Sequence, residues 1–440
     1  MNVYIETYGC QMNVSDSGIV GKILTDNGFT LINRIEEANV ILINTCSIRD
    51  NAEKKVKNRI TELNALKRKN KIVIGILGCM AERLKEDLIE NYGVDIVCGV
   101  DSYRKITDLI MDVNNPNYKK VVNDYFSSSQ IHSIETYDDI TPIQMDSNGV
   151  TAFVSIMRGC ENFCSYCVVP YTRGKERSRN RNNIIKECEY LFENGYREIT
   201  LLGQNVNSYN YNDTDFADLI SKVAAINPLL RVRFATSHPK DISDKLILTI
   251  ASYKNICKAI HLPVQSGSNA VLKRMNRKYT REQYMEKINK IKTSIPNCGL
   301  STDIIVGFCG ETQTDFEDTL CIMREVKYDY AFMFAYSERS DTFASKKYID
   351  DISPLEKNER LTKVINLQRE LSLTSNKNDI GKEFEVLIEG VSKRSPDKLF
   401  GRNTQNKVII FDNKGLNKGE YVKIKVTDCT SATLIGEVTV

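Results

Sequence analysis

Short apolar runs recur along the first hundred residues, each followed by a stretch in which apolar positions return every three or four residues. Val3-Tyr4-Ile5, Val40-Ile41-Leu42-Ile43 and Ile72-Val73-Ile74-Gly75-Ile76-Leu77 are the runs, and the alternation predicts βαβαβα. That order implies a parallel sheet covered by helices, with right-handed crossovers. A second series starts at Ala152-Phe153-Val154-Ser155-Ile156 and continues through residues 198–202, 231–234, 259–262, 300–306 and 330–333. It predicts an open or complete (β/α) barrel, whose active face lies just past the strand ends. The tail changes period. Residues 383–388, 408–411, 421–426 and 432–438 are short strands separated by turns such as Asp412-Asn413-Lys414-Gly415, which predicts a small antiparallel β-barrel. From Asn114 to Asn148 the chain is polar and irregular, with Ser127-Ser128-Ser129, and reads as a linker. The expected organisation is α/β: an N-terminal parallel-sheet domain over 1–117, a linker over 118–147, a partial (β/α) barrel over 148–375 and a β-barrel over 376–440.

A chain of 440 residues exceeds the usual single-core limit, in keeping with that division. Hydrophobic runs stop short of spanning length, and Met1-Asn2-Val3-Tyr4 opens a strand, so a soluble, cytoplasmic protein without a membrane partner is expected. Thirteen cysteines then point to metal or catalytic work rather than disulfides, because that compartment keeps thiols reduced. The net charge of +3 is too small to imply nucleic acid, so any RNA site has to come from local clustering. Residues 173–181 carry five cations, Arg173, Lys175, Arg177, Arg179 and Arg181, against one acid. Read as a phosphate contact, the segment predicts a log-log salt slope near about −2, at roughly 0.7 per single-strand contact; a solvated face is the alternative. Lys393, Arg394, Lys398 and Arg402 form a second cluster in the tail.

The chemistry-bearing residues are cysteines. Cys160, Cys164 and Cys167 have C-x3-C-x2-C spacing, and a 4Fe-4S cluster ordinarily takes four thiolates. Three leave one iron open for a ligand that is not protein. Zinc fits less well, since a structural site needs four ligands and the three histidines are scattered. Cys10, Cys46 and Cys79 each lie within about three residues of a predicted strand end, where ligands gather in open α/β sheets. They form a candidate second three-thiolate site. Cys98 has a weaker version of that placement and reads as structural. Past the barrel strands lie Gly203-Gln204-Asn205-Val206-Asn207, Ser237-His238-Pro239, Gln265-Ser266-Gly267-Ser268 and Gly307-Phe308-Cys309-Gly310-Glu311-Thr312, polar glycine-rich loops suited to a cofactor cavity.

The central run, with Tyr166 just before its third cysteine, resembles the radical S-adenosylmethionine signature. Thr7-Tyr8-Gly9-Cys10-Gln11-Met12-Asn13, Asn44-Thr45-Cys46-Ser47-Ile48-Arg49, Gly78-Cys79-Met80-Ala81-Glu82-Arg83 and Arg158 through Gly174 together resemble the MiaB-type methylthiotransferases over nearly the whole chain. The resemblance implies two 4Fe-4S clusters with an open iron each, sulfide or polysulfide on the N-terminal one, and S-adenosylmethionine held near Tyr166, Gln204, Asn205, Ser237, Gln265 and Asp303. It implies a TRAM domain in the tail and a tRNA anticodon loop as partner. Tyr171, next to Arg173, is a candidate base stacker, with a core tyrosine as the alternative. A low-potential donor such as flavodoxin or ferredoxin and Fe-S or sulfur carrier proteins complete the implied partners. The expected activity is 2-methylthiolation of N6-isopentenyl-adenosine at tRNA position 37. Alternatives are the same chemistry on threonylcarbamoyl-adenosine or a ribosomal-protein side chain, and a non-catalytic Fe-S sensor that binds RNA. Cys309 replaces a proline usual in the family, and residues 336–342 depart from its Pro and Gly content, so a looser loop is expected there.

Overall fold

The computed structural model describes residues 1–46, 50–68, 71–113, 115, 121–122, 135–145 and 147–439. Ser47, Ile48 and Arg49, the Ser127–Ser129 run and most of the expected linker lie outside them. The N-terminal runs form a parallel sheet in the order Thr30–Leu31, Asn2–Tyr8, Val40–Thr45, Val73–Gly78, Ile96–Cys98, Val121–Val122. Val40–Thr45 is buried at every position. One face packs on Ile19, Val20 and Leu24 of the helix Gln11–Asp26, the other on Val56, Ile60 and Leu63 of Asp50–Lys67.

The central region holds two three-stranded parallel sheets. One runs Arg231–Phe234, Glu198–Leu202, Thr151–Ser155; the other runs Ala259–His261, Gly299–Val306, Tyr330–Ala335. An isolated bridge pairs Val232 with Ile256, just ahead of Ala259–His261, and among the described residues the first and last strands do not pair, so the barrel is open. Ile199, Val232, Ile260 and Ile304 pack outward against Leu191, Ile220, Ile288 and Ile322 of the covering helices. Those helices start where a side chain accepts from the first turn: Asn180, Asp215, Ser243, Thr280 and Thr312, the residue types that satisfy otherwise orphaned N–H groups.

The tail is a closed barrel of Glu383–Val391, Lys398–Arg402, Val408–Asp412, Leu434–Val438 and Tyr421–Cys429. Two features differ from expectation. Lys398–Arg402 is a strand that the apolar pattern missed, and Val408–Asp412 pairs with Leu434–Val438 in parallel, because an odd number of strands cannot alternate direction around a closed ring. The barrel docks at the beginnings of the central strands: Tyr421 Oη donates to Leu229 O at 2.9 Å and Arg231 Nη1 to Arg402 O at 2.6 Å. Arg402 also meets buried Glu198 at 2.8 Å and Glu389 at 2.6 Å, so it is an interdomain strut rather than part of a basic surface. Residues 135–145, the described end of the expected linker, are stitched down, with Tyr137 Oη donating to Val100 O at 3.0 Å and Ile143 N to Gly18 O at 3.2 Å. No helix among the described residues is long and apolar enough to cross a membrane.

Candidate metal centres and cofactor cavity

Cys10, Cys46 and Cys79 each follow a strand of the N-terminal sheet directly or by two residues. Gly9, at φ +151°, lets the chain turn there, since a Cβ would stand 2.5 Å from Cys46 Cβ. Asn13 Oδ1 accepts from Cys10 N at 3.3 Å and Cys10 Sγ at 3.2 Å, while its Nδ2 donates to Asn44 Oδ1 and Thr45 O at 3.1 Å each. The first two signatures are thereby tied together. A hydrogen bond from Cys46, helped by the Arg173 charge, pulls the Cys10 thiol down to about 6. Burial pushes the Cys79 thiol up, against the opposing pull of Arg173, whose Nε donates to Cys79 Sγ at 3.3 Å.

Cys160, Cys164 and Cys167 lie on the loop after Met157–Arg158. Gly159 has φ +79°, and a Cβ there would collide with the Lys175 carbonyl; Gly159 N donates to Gln204 Oε1 at 2.6 Å and Cys160 N to Gly174 O at 3.0 Å. Arg277, which sequence reading missed, is buried and donates to Cys164 Sγ at 3.2 Å and to Pro263 O at 2.8 Å. Burial raises the Cys160 thiol to about 11 and pushes Cys167 up as well. The thiolate is the ligand form, so a positive group beside each site favours ligation. Among the described residues no three His, Cys, Asp or Glu side chains converge on a single ion. A cubane takes its sulfurs at separate corners and its cysteine ligands three or four at a time, which fits two all-thiol triplets.

The expected cofactor residues divide. Asn205 Oδ1, Ser237 Oγ and Gln265 Oε1 are buried without a hydrogen-bond partner among the described residues, as is His238 Nε2. Buried polar atoms ordinarily have partners, so this set at the strand ends fits a polar ligand. Burial, then Arg277, pushes His238 down to about 2; its Nδ1 accepts from Lys240 N at 3.3 Å, which leaves Nε2–H as the free donor. Gln204 instead braces the cysteine loop. Asp303 pairs with His261 at 3.4 Å, and Tyr166 packs edge-on to Phe308 at 6.4 Å.

The cation run is corrected. Arg173 is 3% exposed and meets Asp16 at 2.8 Å; Arg179, also 3% exposed, meets Asp138 at 3.1 Å and Glu187 at 2.9 Å. Arg177 meets Asp101 at 2.7 Å with little side-chain exposure. These three are internal ion pairs and are not available to phosphate. Lys175 is exposed, and half-buried Arg181 donates to Thr214 Oγ1 at 2.7 Å. In the loop over 336–342, Tyr336, Arg339 and Thr342 are buried while Glu338, Ser340 and Asp341 are exposed, and Cys309 packs with Phe308 and Tyr336.

A parallel partial barrel with a three-thiol loop and unpaired polar groups at its mouth defines a radical S-adenosylmethionine protein. Comparison with known proteins agrees. Residues 154–320 match the radical SAM superfamily, 2–99 the uncharacterized protein family UPF0004 and 377–439 the TRAM domain. The tryptophan-bound radical S-adenosylmethionine methyltransferase TsrM from Kitasatospora setae shares the fold, with TM-score 0.57 and 12% identity over 76% of this chain and 72% of that one. A tRNA-2-methylthio-N(6)-dimethylallyladenosine synthase of Amoebophilus asiaticus is 50% identical, covering 99% of this chain and 92% of the relative. One of Parabacteroides distasonis is also 50% identical, covering 99% and 95%. The chain belongs to this family of tRNA methylthiotransferases.

Proposed function

We propose that the chain converts N6-isopentenyl-adenosine at position 37 of tRNA to its 2-methylthio derivative. The domains follow the 1–117, 148–375 and 376–440 division. Cys160, Cys164 and Cys167 would hold one 4Fe-4S cluster, and Cys10, Cys46 and Cys79 a second that carries the sulfur. When bound, the clusters and S-adenosylmethionine supply reductive sulfonium cleavage, hydrogen abstraction at adenine carbon 2, a methyl group and the inserted sulfur. Asn205, Ser237, His238 and Gln265 orient the cofactor by filling hydrogen bonds they otherwise lack. Arg277 and Arg173 place positive charge beside the two sulfur sets. The observation that carries the reading is that Cys79 meets Arg173 of the helix that follows the central triplet, while Cys46 hydrogen-bonds Cys10, which feels the same Arg173 charge.

The TRAM barrel sits at the opposite end of the central strands from the cysteines, so it grips tRNA away from the target base. Unstacking that base costs a few kcal/mol, which stacking of about 1–3 kcal/mol offsets; Tyr171 and Phe163, 44% and 48% exposed, are the candidate platforms. A low-potential donor such as flavodoxin or ferredoxin reduces the clusters, and Fe-S and sulfur carriers load them.

Anaerobic reconstitution should yield about eight irons per chain and, with S-adenosylmethionine and a strong reductant, 5'-deoxyadenosine. Deleting the gene should remove 2-methylthio nucleosides from bulk tRNA. An unchanged tRNA signal would refute the substrate, and iron without S-adenosylmethionine cleavage would leave an RNA-binding sensor.

A further inference from the structure

We propose that the buried Arg158–Asp16–Arg173 ion triad is a positioning device that locks the two thiol sites to each other and tunes the N-terminal one through the Arg173–Cys79 hydrogen bond. The inference rests on Cys10, Cys46 and Cys79 holding a cluster. Asp16 lies on the helix that follows Cys10 and is fully buried. Its Oδ1 meets Arg158 Nη2 at 2.5 Å and its Oδ2 meets Arg173 Nη2 at 2.8 Å. Arg158 stands two residues before Cys160, and Arg173 ends the short helix after Cys167. One N-terminal carboxylate therefore fastens both flanks of the central cysteine loop, while Arg173 Nε reaches back to Cys79 Sγ at 3.3 Å.

The charges do not balance within the triad. Two guanidiniums face one carboxylate, with Tyr103 Oη donating to Asp16 Oδ2 at 3.4 Å and the Tyr137 ring stacked 4.7 Å from Arg158. Arg158 Nε and Nη1 and Arg173 Nη1 are buried without a hydrogen-bond partner among the described residues. A surplus buried cation is expensive unless an anion sits nearby. A thiolate-bound cubane is such an anion, and more so when reduced, and hydrogen bonds to its sulfurs help set its potential. Arg173 holds the reduced form down in energy, so its loss makes the cluster harder to reduce.

The test uses the full-length reconstituted protein and follows the reduction potential of the iron signal that survives in Cys164→Ala. In that background Arg173→Gln shifts the potential to more negative values; in the protein with all six cysteines it lowers methylthiolated product about 10- to 100-fold, the usual scale for outer-shell partners of a metal site, with KM for tRNA unchanged. Arg173→Lys, which keeps the charge and the fold but cannot bridge Asp16 and Cys79 with one ammonium, shifts it the same way by less. An unmoved potential in Arg173→Lys overturns the proposal, as does a raised KM for tRNA with a shallower salt dependence, the mark of an RNA contact. Wild-type protein with about four irons would sink the two-cluster reading itself; about eight with an unmoved potential would sink the triad alone.

Discussion

Cys160, Cys164 and Cys167 reach their site from eight consecutive residues, whereas Cys10, Cys46 and Cys79 reach theirs from the ends of three neighbouring parallel strands. The compact triplet sits on one loop braced by the barrel: Gly159 turns it, Gln204 and Gly174 hold it, and Arg277 backs it. The dispersed triplet borrows its geometry from the sheet and its positive partner, Arg173, from the other site's flank. The compact set is fixed by spacing within one loop, whereas the dispersed set depends on the register of three strands and takes Arg173 from the central region. That asymmetry predicts which changes uncouple the reaction's halves.

The largest effect comes from removing one ligand at each site. Cys164→Ala should lower iron from about eight to about four per chain and abolish both 5'-deoxyadenosine and product. Cys46→Ala should lower iron equally yet leave 5'-deoxyadenosine formation running, with methylthiolation stopped. If Cys46→Ala also halts S-adenosylmethionine cleavage, the two sites are not separable and the contrast fails. Arg277→Gln sharpens it at the level of neighbours. Loss of the donors to Cys164 and Pro263 should slow 5'-deoxyadenosine formation about 10- to 100-fold while the N-terminal cluster keeps its potential. A wild-type rate would show that Arg277 serves only packing.

The same contrast explains what was legible in the sequence. C-x3-C-x2-C is local, so spacing alone exposed it, and Cys10, Cys46 and Cys79 became visible through the rule that parallel strands deliver ligands at their ends. Arg173, Arg177 and Arg179 were misread because a window of sequence counts cations and cannot see carboxylates arriving from elsewhere. Asp16, Asp101, Asp138 and Glu187 form ion pairs with them in the fold. Arg402 was misread for the same reason, its partner Glu198 lying on a central strand. Asn205, Ser237 and Gln265 are candidates from loop position alone, whereas His238 and Arg277 become candidates only once burial and hydrogen bonding are known. Pattern reading finds side chains that act where the backbone puts them and misses those defined by a long-range partner.

Glu82 offers the smallest and most local probe of the buried N-terminal site. It follows Cys79 on the helix Cys79–Leu84, and its Oε1 accepts from Val100 N at 3.0 Å. Burial first, then the Asp101 charge, pushes its carboxyl from 4.5 up to about 8. Between those values the folded chain keeps a proton that the unfolded chain has released. Stability is therefore fullest below 4.5 and declines as pH rises toward about 8, by at most about 1.4 kcal/mol per pH unit; above that window this contribution is flat. Glu82→Gln stays neutral and retains an acceptor for Val100 N, so urea midpoints of the reduced, iron-free protein should lose that decline relative to wild type. Parallel pH curves for the two proteins would mean that water reaches Glu82 and that the N-terminal site is no drier than the central one.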